Sequence, residues 1–456
     1  MQKSGVHDHW SSRFAFLMAA IGSAVGLGNI WRFPFVAGEN GGGAFILIYV
    51  VTTAAIALPI LIAELMLGRM GGRSPINAMR EIARQHDRSS LWTIIGIGGT
   101  LGAFIVVSYY SVIGGWALKY LTLAAASAFQ GLDKPASGAL FEALTGDPAA
   151  LIVWHTVFLG INLAIVAWGL HRGIERAVTI MMPMLFLLLI GMAIFVVNTP
   201  GFDQAWDFMF KADFSKVTPG TFLLAIGQGF FSVSVALGAM MAYGAYLDKN
   251  VSIARSAAII VIADTAVAII AGFVVFPLVF SYGLEPGAGA GLVFATLPIA
   301  FGQMAQGALI GALFFLLLTV AALTSSISLL EPVIVWAEEK FSQQSRPHLA
   351  CWVVGFAWLL GLGTVFSFNV WKGFYPLAGL GVLEEATLFD VLDFSATSLL
   401  MPTTGLLMSI FAGWALSRET VLEALGVRDA GWFRLWRFSL RVLVPLGILG
   451  IFASNI

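Results

Sequence analysis

Apolar and polar positions fall in blocks along this chain, with runs of about twenty apolar residues separated by short charged or Gly/Pro-rich stretches. That is the length a helix needs to cross a ~30 Å hydrocarbon core. Eleven runs can be marked, at residues 13–38, 42–69, 90–127, 150–169, 174–198, 218–246, 255–283, 305–338, 349–368, 386–416 and 434–454. The pattern predicts an all-α polytopic membrane protein. The third run is long enough to cross at a strong tilt. Residues 284–304, LEPGAGAGLVFATLPIAFGQM, are too interrupted to span and too apolar for a solvated loop, so a re-entrant cap over the outer mouth is expected.

Two of the runs are interrupted. The first, RFAFLMAAIGSAVGLGNIWRFPFVAGEN, carries Gly22, Gly26 and Gly28, then Asn29 and Arg32. Glycine weakens a helix interior and buried polar groups are costly in hydrocarbon, so a broken helix is predicted. Eleven residues from Ser12 to Ser23 rise roughly 17 Å, which puts the break near mid-membrane. Carbonyls freed there must be buried in protein or satisfied by a ligand, and a small cation suits them. The sixth run places Ser232, Ser234, Ala236 and Gly238 at a comparable depth. Paired interruptions in two five-helix halves point to an inverted-repeat transporter with its site where the breaks meet.

Composition supports the class: 59% of residues are hydrophobic, 11% are charged and mean hydropathy is +0.90. A net charge of -1 argues against a nucleic-acid partner. Cys351 is the single cysteine, which excludes an intrachain disulfide. The polar N-terminus runs into the first span without a small-residue cleavage site, so no removable signal peptide is expected. With the N-terminus in the cytoplasm, eighteen Lys and Arg lie on inside segments against four outside. The positive-inside rule therefore fixes that orientation in the cytoplasmic (inner) membrane and puts the C-terminus outside.

Ionisable groups within the spans are few, and each needs a partner or a wet cavity. Asp264 is the most informative, because hard cations prefer oxygen ligands and an unpaired carboxylate there is costly. It can complete a cation site with Asn29, the Ala24 carbonyl and the Ser232 hydroxyl; the competing reading is a protonated Asp bonded to a neighbouring helix. In span eight, Thr324, Ser325, Ser326 and Ser328 exceed what back-bonding to the helix requires, and two can face a second cation. Arg32 and Asp393 flank the outer vestibule and can close over a solute. Glu64 and Glu331 read as buried structural partners of backbone or Arg.

GSAVGLGNIWRFPF followed by ENGGGAF, the FFSVSVALG break and ALTSSISLLEP together resemble the neurotransmitter:sodium symporter family in its bacterial amino-acid branch. The resemblance covers essentially the whole chain. It implies a LeuT-type fold of five-plus-five inverted repeats with discontinuous helices 1 and 6 plus an eleventh span, and sodium-coupled uptake by alternating access. The implied division is a cytoplasmic segment 1–12, a first repeat 13–198, an extracellular loop 199–217, a second repeat 218–416, and a loop with the last span at 417–456. Position by position, the first sodium site falls on Ala24, Asn29, Ser232 and Asp264, completed by the substrate carboxylate. The second falls on Gly22, Val25, Ala321, Thr324 and Ser325. The substrate pocket falls on Ala24, Gly26, Val106, Tyr110, Phe231, Ser234, Ala236, Leu237, Ser326 and Leu329, with Tyr110 on the carboxylate and Phe231 as a lid beneath Arg32 and Asp393. The inner gate falls on His7 and Glu339, with Trp10 as a plug. Two sodium ions, an amino acid and the lipid bilayer are the implied partners, with a homodimer possible and no organic cofactor.

Departures from the family pattern sharpen the expectation. Gly26 stands where amine transporters have Asp, so the substrate should bring its own carboxylate. Asp264 stands where chloride-dependent members commonly have Asn, and a fixed charge there implies chloride-independent transport. Ala236 replaces a common Gly and Leu237 a common Phe, which leans toward neutral aliphatic substrates. His7 at the inner gate titrates near 6.5 and suggests a closure firmer at mildly acid pH. The rival readings are a proton-coupled or sodium-independent permease on the same fold, in which Asp264 titrates, and a transport-incompetent sensor. No nucleophile, metal-cluster spacing or nucleotide loop suggests an enzyme.

Overall fold

The structure is a computed structural model that describes residues 9–285, 291–380, 383–429 and 431–454. Among the described residues every regular element is helical. Nine helices are long and apolar enough to cross a membrane, and Arg13–Ala24 with Gly28–Glu39 forms one further span bent by 49°. Span two is Gly43–Gly71, span three Ser90–Ala125, span four Pro148–Val166 and span five Leu170–Val196. Spans seven to ten are Ile253–Ser281, Gly307–Lys340, Arg346–Ser367 and Leu388–Ala415, and Gly431–Ala453 follows them. The sixth expected span is divided into Pro219–Val233 and Ala239–Ala245, each too short to cross singly.

Both interruptions have local causes. Span one begins at Ser12, whose side chain accepts from the Ala15 N–H, and its inner half ends where Val25 turns extended at φ -74°, ψ 105°. The Asn29 Oδ1 accepts from the Gly26 N–H at 3.0 Å, satisfying a donor that the break leaves free. In span six the chain passes through the left-handed region at Ser234, Ala236 and Gly238, with φ of +53°, +66° and +77°. Only the last is glycine, so the break is held against a penalty of roughly 1–2 kcal/mol at each of the others. Part of the compensation is Glu64, fully buried in span two, whose Oε2 accepts from the Ala236 N–H at 2.7 Å.

The broken spans sit in the middle of the bundle. Span eight packs along span three, and the inner half of span one lies against spans five, seven and eight. Span two runs beside the inner half of span six so closely that a Cβ on Gly68 would stand 2.0 Å from the Met241 carbonyl oxygen. This is the small-residue contact by which spanning helices approach without a hydrophobic driving force. Outside the breaks, the expected cap forms the helix Leu292–Gln303, whose Phe294 is buried edge-on to Trp31, Trp116 and Tyr120.

Candidate functional site

At the break of span one, three polar side chains from three spans meet with no exposure to solvent. Asn29 Nδ2 donates to Asp264 Oδ1 at 2.7 Å, to the Asp264 carbonyl at 3.1 Å and to Ser232 Oγ at 2.9 Å. Ser232 Oγ donates to Asp264 Oδ2 at 2.8 Å, and Tyr49 OH lies 3.1 Å from Ser232 Oγ and 3.4 Å from the same carboxylate oxygen. A carboxylate at full burial is tolerable only when its oxygens are engaged in this way. The structure thus brings Asn29, Ser232 and Asp264 together and adds Tyr49 from span two. A tyrosine inside an apolar run, whose hydroxyl needs a partner, was the available signal for Tyr49.

A second oxygen cluster lies on the N-terminal side of the same break. Ser325 Oγ is 3.3 Å from the Gly22 carbonyl and 3.2 Å from the Val25 carbonyl. Thr324 Oγ1 is 3.1 Å from the Ala321 carbonyl, and a Cβ on Gly22 would stand 3.2 Å from the Thr324 Cβ. The residues named for a second cation are therefore neighbours, and their donor set is oxygen throughout, as a hard monovalent or divalent ion requires. Among the described residues no group of three His, Cys, Asp or Glu converges, so nothing resembles a transition-metal centre.

Between the clusters, Tyr110 OH accepts from the Leu27 N–H at 3.0 Å. Gly26 is hemmed in: a Cβ there would stand 2.5 Å from Ser325 Oγ and 2.8 Å from Tyr110 OH. Val106 and Leu329 are buried on the paired spans three and eight, and Leu237 packs against span three, where a Cβ on Gly102 would be 3.0 Å from it. Gln228, not anticipated from the sequence, donates to the Gly28 carbonyl at 3.0 Å and ties one break to the other. Ser326 is differently placed: its hydroxyl donates to Asn162 Oδ1 of span four at 2.6 Å and is committed to a neighbouring helix. Ser234 makes only a 3.5 Å contact, with the Phe231 carbonyl.

Outward of the break, the guanidinium of Arg32 lies 4.7 Å from the centroid of the Phe231 ring, a cation–π arrangement. Asp393 is within electrostatic reach of Arg32. Among the described residues no ion pair within 4.0 Å joins Arg32 to Asp393.

At the N-terminal end of span one, Trp10 is packed in as the sequence indicated, while Glu339 has partners that the sequence did not indicate. Trp10 is buried, its indole N–H donating to the Tyr243 carbonyl at 3.1 Å and its ring edge-on to Tyr243 at 5.2 Å. Glu339 is taken up by the loop after span two: Oε1 accepts from the Ser74 N–H at 2.9 Å, while Oε2 accepts from Asn77 Nδ2 at 2.5 Å and from the Ser74 hydroxyl. A carboxylate already holding three donors has little left for a distant partner. His7, the expected partner, lies outside the described residues. A buried ion pair nearby joins Arg346, at the start of span nine, to Glu331 at 2.5 Å and Glu338 at 2.9 Å, and Tyr246 OH donates to Glu331 at 2.7 Å. Glu331 is thus a structural partner of an Arg, one of the two readings the sequence offered for it.

Comparison with known proteins gives a consistent result. The family model described as the sodium:neurotransmitter symporter family matches residues 7–130 and 146–456. An uncharacterised sodium-dependent transporter of Bacillus subtilis is 37% identical over 98% of this chain and 97% of its own length. A second, from Haemophilus influenzae, is 34% identical over 98% of each. Among solved structures, MhsT in complex with L-phenylalanine matches with a TM-score of 0.90 at 37% identity, over 99% of this chain and 100% of that one.

Proposed function

The chain belongs to the sodium:neurotransmitter symporter family, and on that premise we propose that it imports a neutral amino acid across the cytoplasmic membrane by sodium-coupled alternating access, without chloride. One observation supports this most: two separate oxygen-rich polar clusters flank a pair of broken spans at the centre of a membrane bundle. Sodium at the first cluster would be held by Asp264, Ser232, the Ala24 carbonyl and Asn29. The Asn29 amide, which now offers Nδ2 to Asp264, would have to turn so that Oδ1 faces the ion. Sodium at the second would be held by Gly22, Val25, Ala321, Thr324 and Ser325.

The amino acid's carboxylate would meet Tyr110 and the free backbone of the break, because Gly26 leaves no side chain to receive an ammonium group. Tyr49 and Ser232 aim their hydroxyls at the Asp264 carboxylate, which supplies in fixed form the negative charge that a chloride ion would bring. The aliphatic lean suggested by Ala236 and Leu237 widens here, since a relative as similar as MhsT holds L-phenylalanine. The proposed division remains two repeats, 13–198 and 218–416, with the cytoplasmic N-terminal segment before them and the last span leading the C-terminus outside. Phe231 under Arg32 and Asp393 would close the outer side, and Trp10 the inner.

Scintillation proximity binding of labelled neutral amino acids to purified protein, in sodium against choline, tests the proposal. Binding that needs sodium and is lost in Asp264→Ala supports it. Binding indifferent to sodium but favoured at acid pH moves the reading to a proton-coupled permease.

A further inference from the structure

A cavity of about 1220 Å³, larger than the ~300–1,000 Å³ of a small-molecule pocket, lies away from the helix breaks between spans three, eight and nine and the helix Pro75–Gln85. It is an open groove on the outside of the bundle. Along span nine its lining runs from His348 to Leu360, twelve residues that rise roughly 18 Å, or about one leaflet of the hydrocarbon core. Its deep part is apolar, with Leu101, Trp352 and Phe356 each about half exposed among the described residues. Its shallow end, on the cytoplasmic side, carries the exposed cations Arg80 and Lys340.

Charge and depth together select the occupant. Neither Arg80 nor Lys340 has a carboxylate within 4.0 Å among the described residues. Glu339, the acidic group in the lining, is engaged by Ser74 and Asn77. Arg80 donates only to the neutral Asn77 side chain at 2.8 Å. Trp352 donates its indole N–H to His348 at 2.9 Å, four residues nearer the shallow end of the groove. A basic pocket between spanning helices on the cytoplasmic side is suited to an anionic lipid headgroup.

We propose that this groove is a binding site for one anionic diacyl phospholipid of the cytoplasmic leaflet, with its phosphate between Arg80 and Lys340 and an acyl chain laid along Leu101, Trp352 and Phe356. The site joins the loop after span two to spans eight and nine, so an occupying lipid braces the segment that holds Glu339. It depends on neither sodium nor the amino acid.

The test is native mass spectrometry of the full chain released from nanodiscs of equal parts phosphatidylglycerol and phosphatidylethanolamine, beside the Arg80→Gln/Lys340→Gln and Leu101→Trp variants. Retained phosphatidylglycerol should exceed phosphatidylethanolamine in the parent. Removing both charges should lower that preference on the order of tenfold or more. Leu101→Trp, which fills the apolar groove and leaves the charges in place, should lower retention of both lipids. Equal retention of the two lipids by the parent, or a preference unchanged by the double substitution, would overturn the site. So would a dimer that the parent forms without bound lipid and that Leu101→Trp dissociates, since a second copy would then be the occupant.

Discussion

Asn29 and Asp264, 235 positions apart, meet at 2.7 Å inside the bundle, and neither is exposed to solvent. The contact places a carboxylate beside the break of span one, where the proposed function would use it as an ion ligand and as a resident anion. Asp264→Asn should weaken sodium dependence of amino-acid binding more than tenfold, because the proposed cation site would lose its one charged protein ligand, exchanging a charge-assisted contact for a neutral one. The parent protein's uptake should be unchanged when gluconate replaces chloride, and uptake that stops in gluconate would refute the fixed-anion role. Both are read by radiolabelled uptake in proteoliposomes.

Gly26 has no room to grow. Because a Cβ would meet Ser325 Oγ at 2.5 Å and Tyr110 OH at 2.8 Å, Gly26→Ala should abolish detectable substrate binding. The overpacking should also lower the melting temperature, at a cost of about 1–3 kcal/mol, without unfolding the protein at the binding temperature. An alanine variant that binds normally would show that the substrate does not use this break.

Ala236 bears a left-handed backbone at φ +66°. Ala236→Gly should stabilise the purified protein by up to about 1 kcal/mol, and Ala236→Val should destabilise it by more than that. Thermal unfolding in detergent, monitored by tryptophan fluorescence, gives the order. A glycine variant less stable than the parent would mean that the methyl group contributes packing that outweighs the strain.

Arg346 and Glu331 form the buried inner ion pair at 2.5 Å. Arg346→Gln leaves Glu331 buried without its cation and should cost roughly 3–5 kcal/mol, whereas Arg346→Gln with Glu331→Gln should recover much of it. The double-mutant cycle, measured by thermal unfolding, should give a coupling well above the few tenths expected of an exposed pair. Additive losses would place the pair outside the network drawn here.

Trp10 is held by two hydrogen bonds, from its indole to the Tyr243 carbonyl and from its backbone N–H to the Tyr246 carbonyl, and by a set of ring contacts, as the proposed inner plug requires. Trp10→Ala should raise the rate at which a cysteine placed at Tyr243 is alkylated from the cytoplasmic side by about tenfold, given the ~1–3 kcal/mol lost with a buried aromatic. An unchanged rate would assign closure to the Arg346 pair.

The spans were legible because crossing a bilayer imposes a length and a composition on every segment separately. Ile253–Ser281 and Gly307–Lys340 stand within a few residues of their expected bounds for that reason. The breaks were legible because glycine, Asn and Ser in mid-membrane are expensive and so are conspicuous. Glu64 and Glu331 could be read as structural partners on the same ground, though not their partners. Tyr49 and Gln228 were missed because one aromatic or amide in an apolar run looks the same whether it faces lipid, a helix or a site.

What the sequence determined by itself was the membrane class, the order of the spans and the places where two of them fail to continue as helix, since each is a property of a local segment and its solvent. Only the tertiary structure decided which groups share a charge. Glu339 went to Ser74 and Asn77, Ser326 to Asn162, and Arg346 to Glu331 and Glu338. Pairings of that kind depend on the packing angle and rotation of helices hundreds of residues apart. A hydrogen bond is made or lost within a few tenths of an ångström, which no linear spacing records.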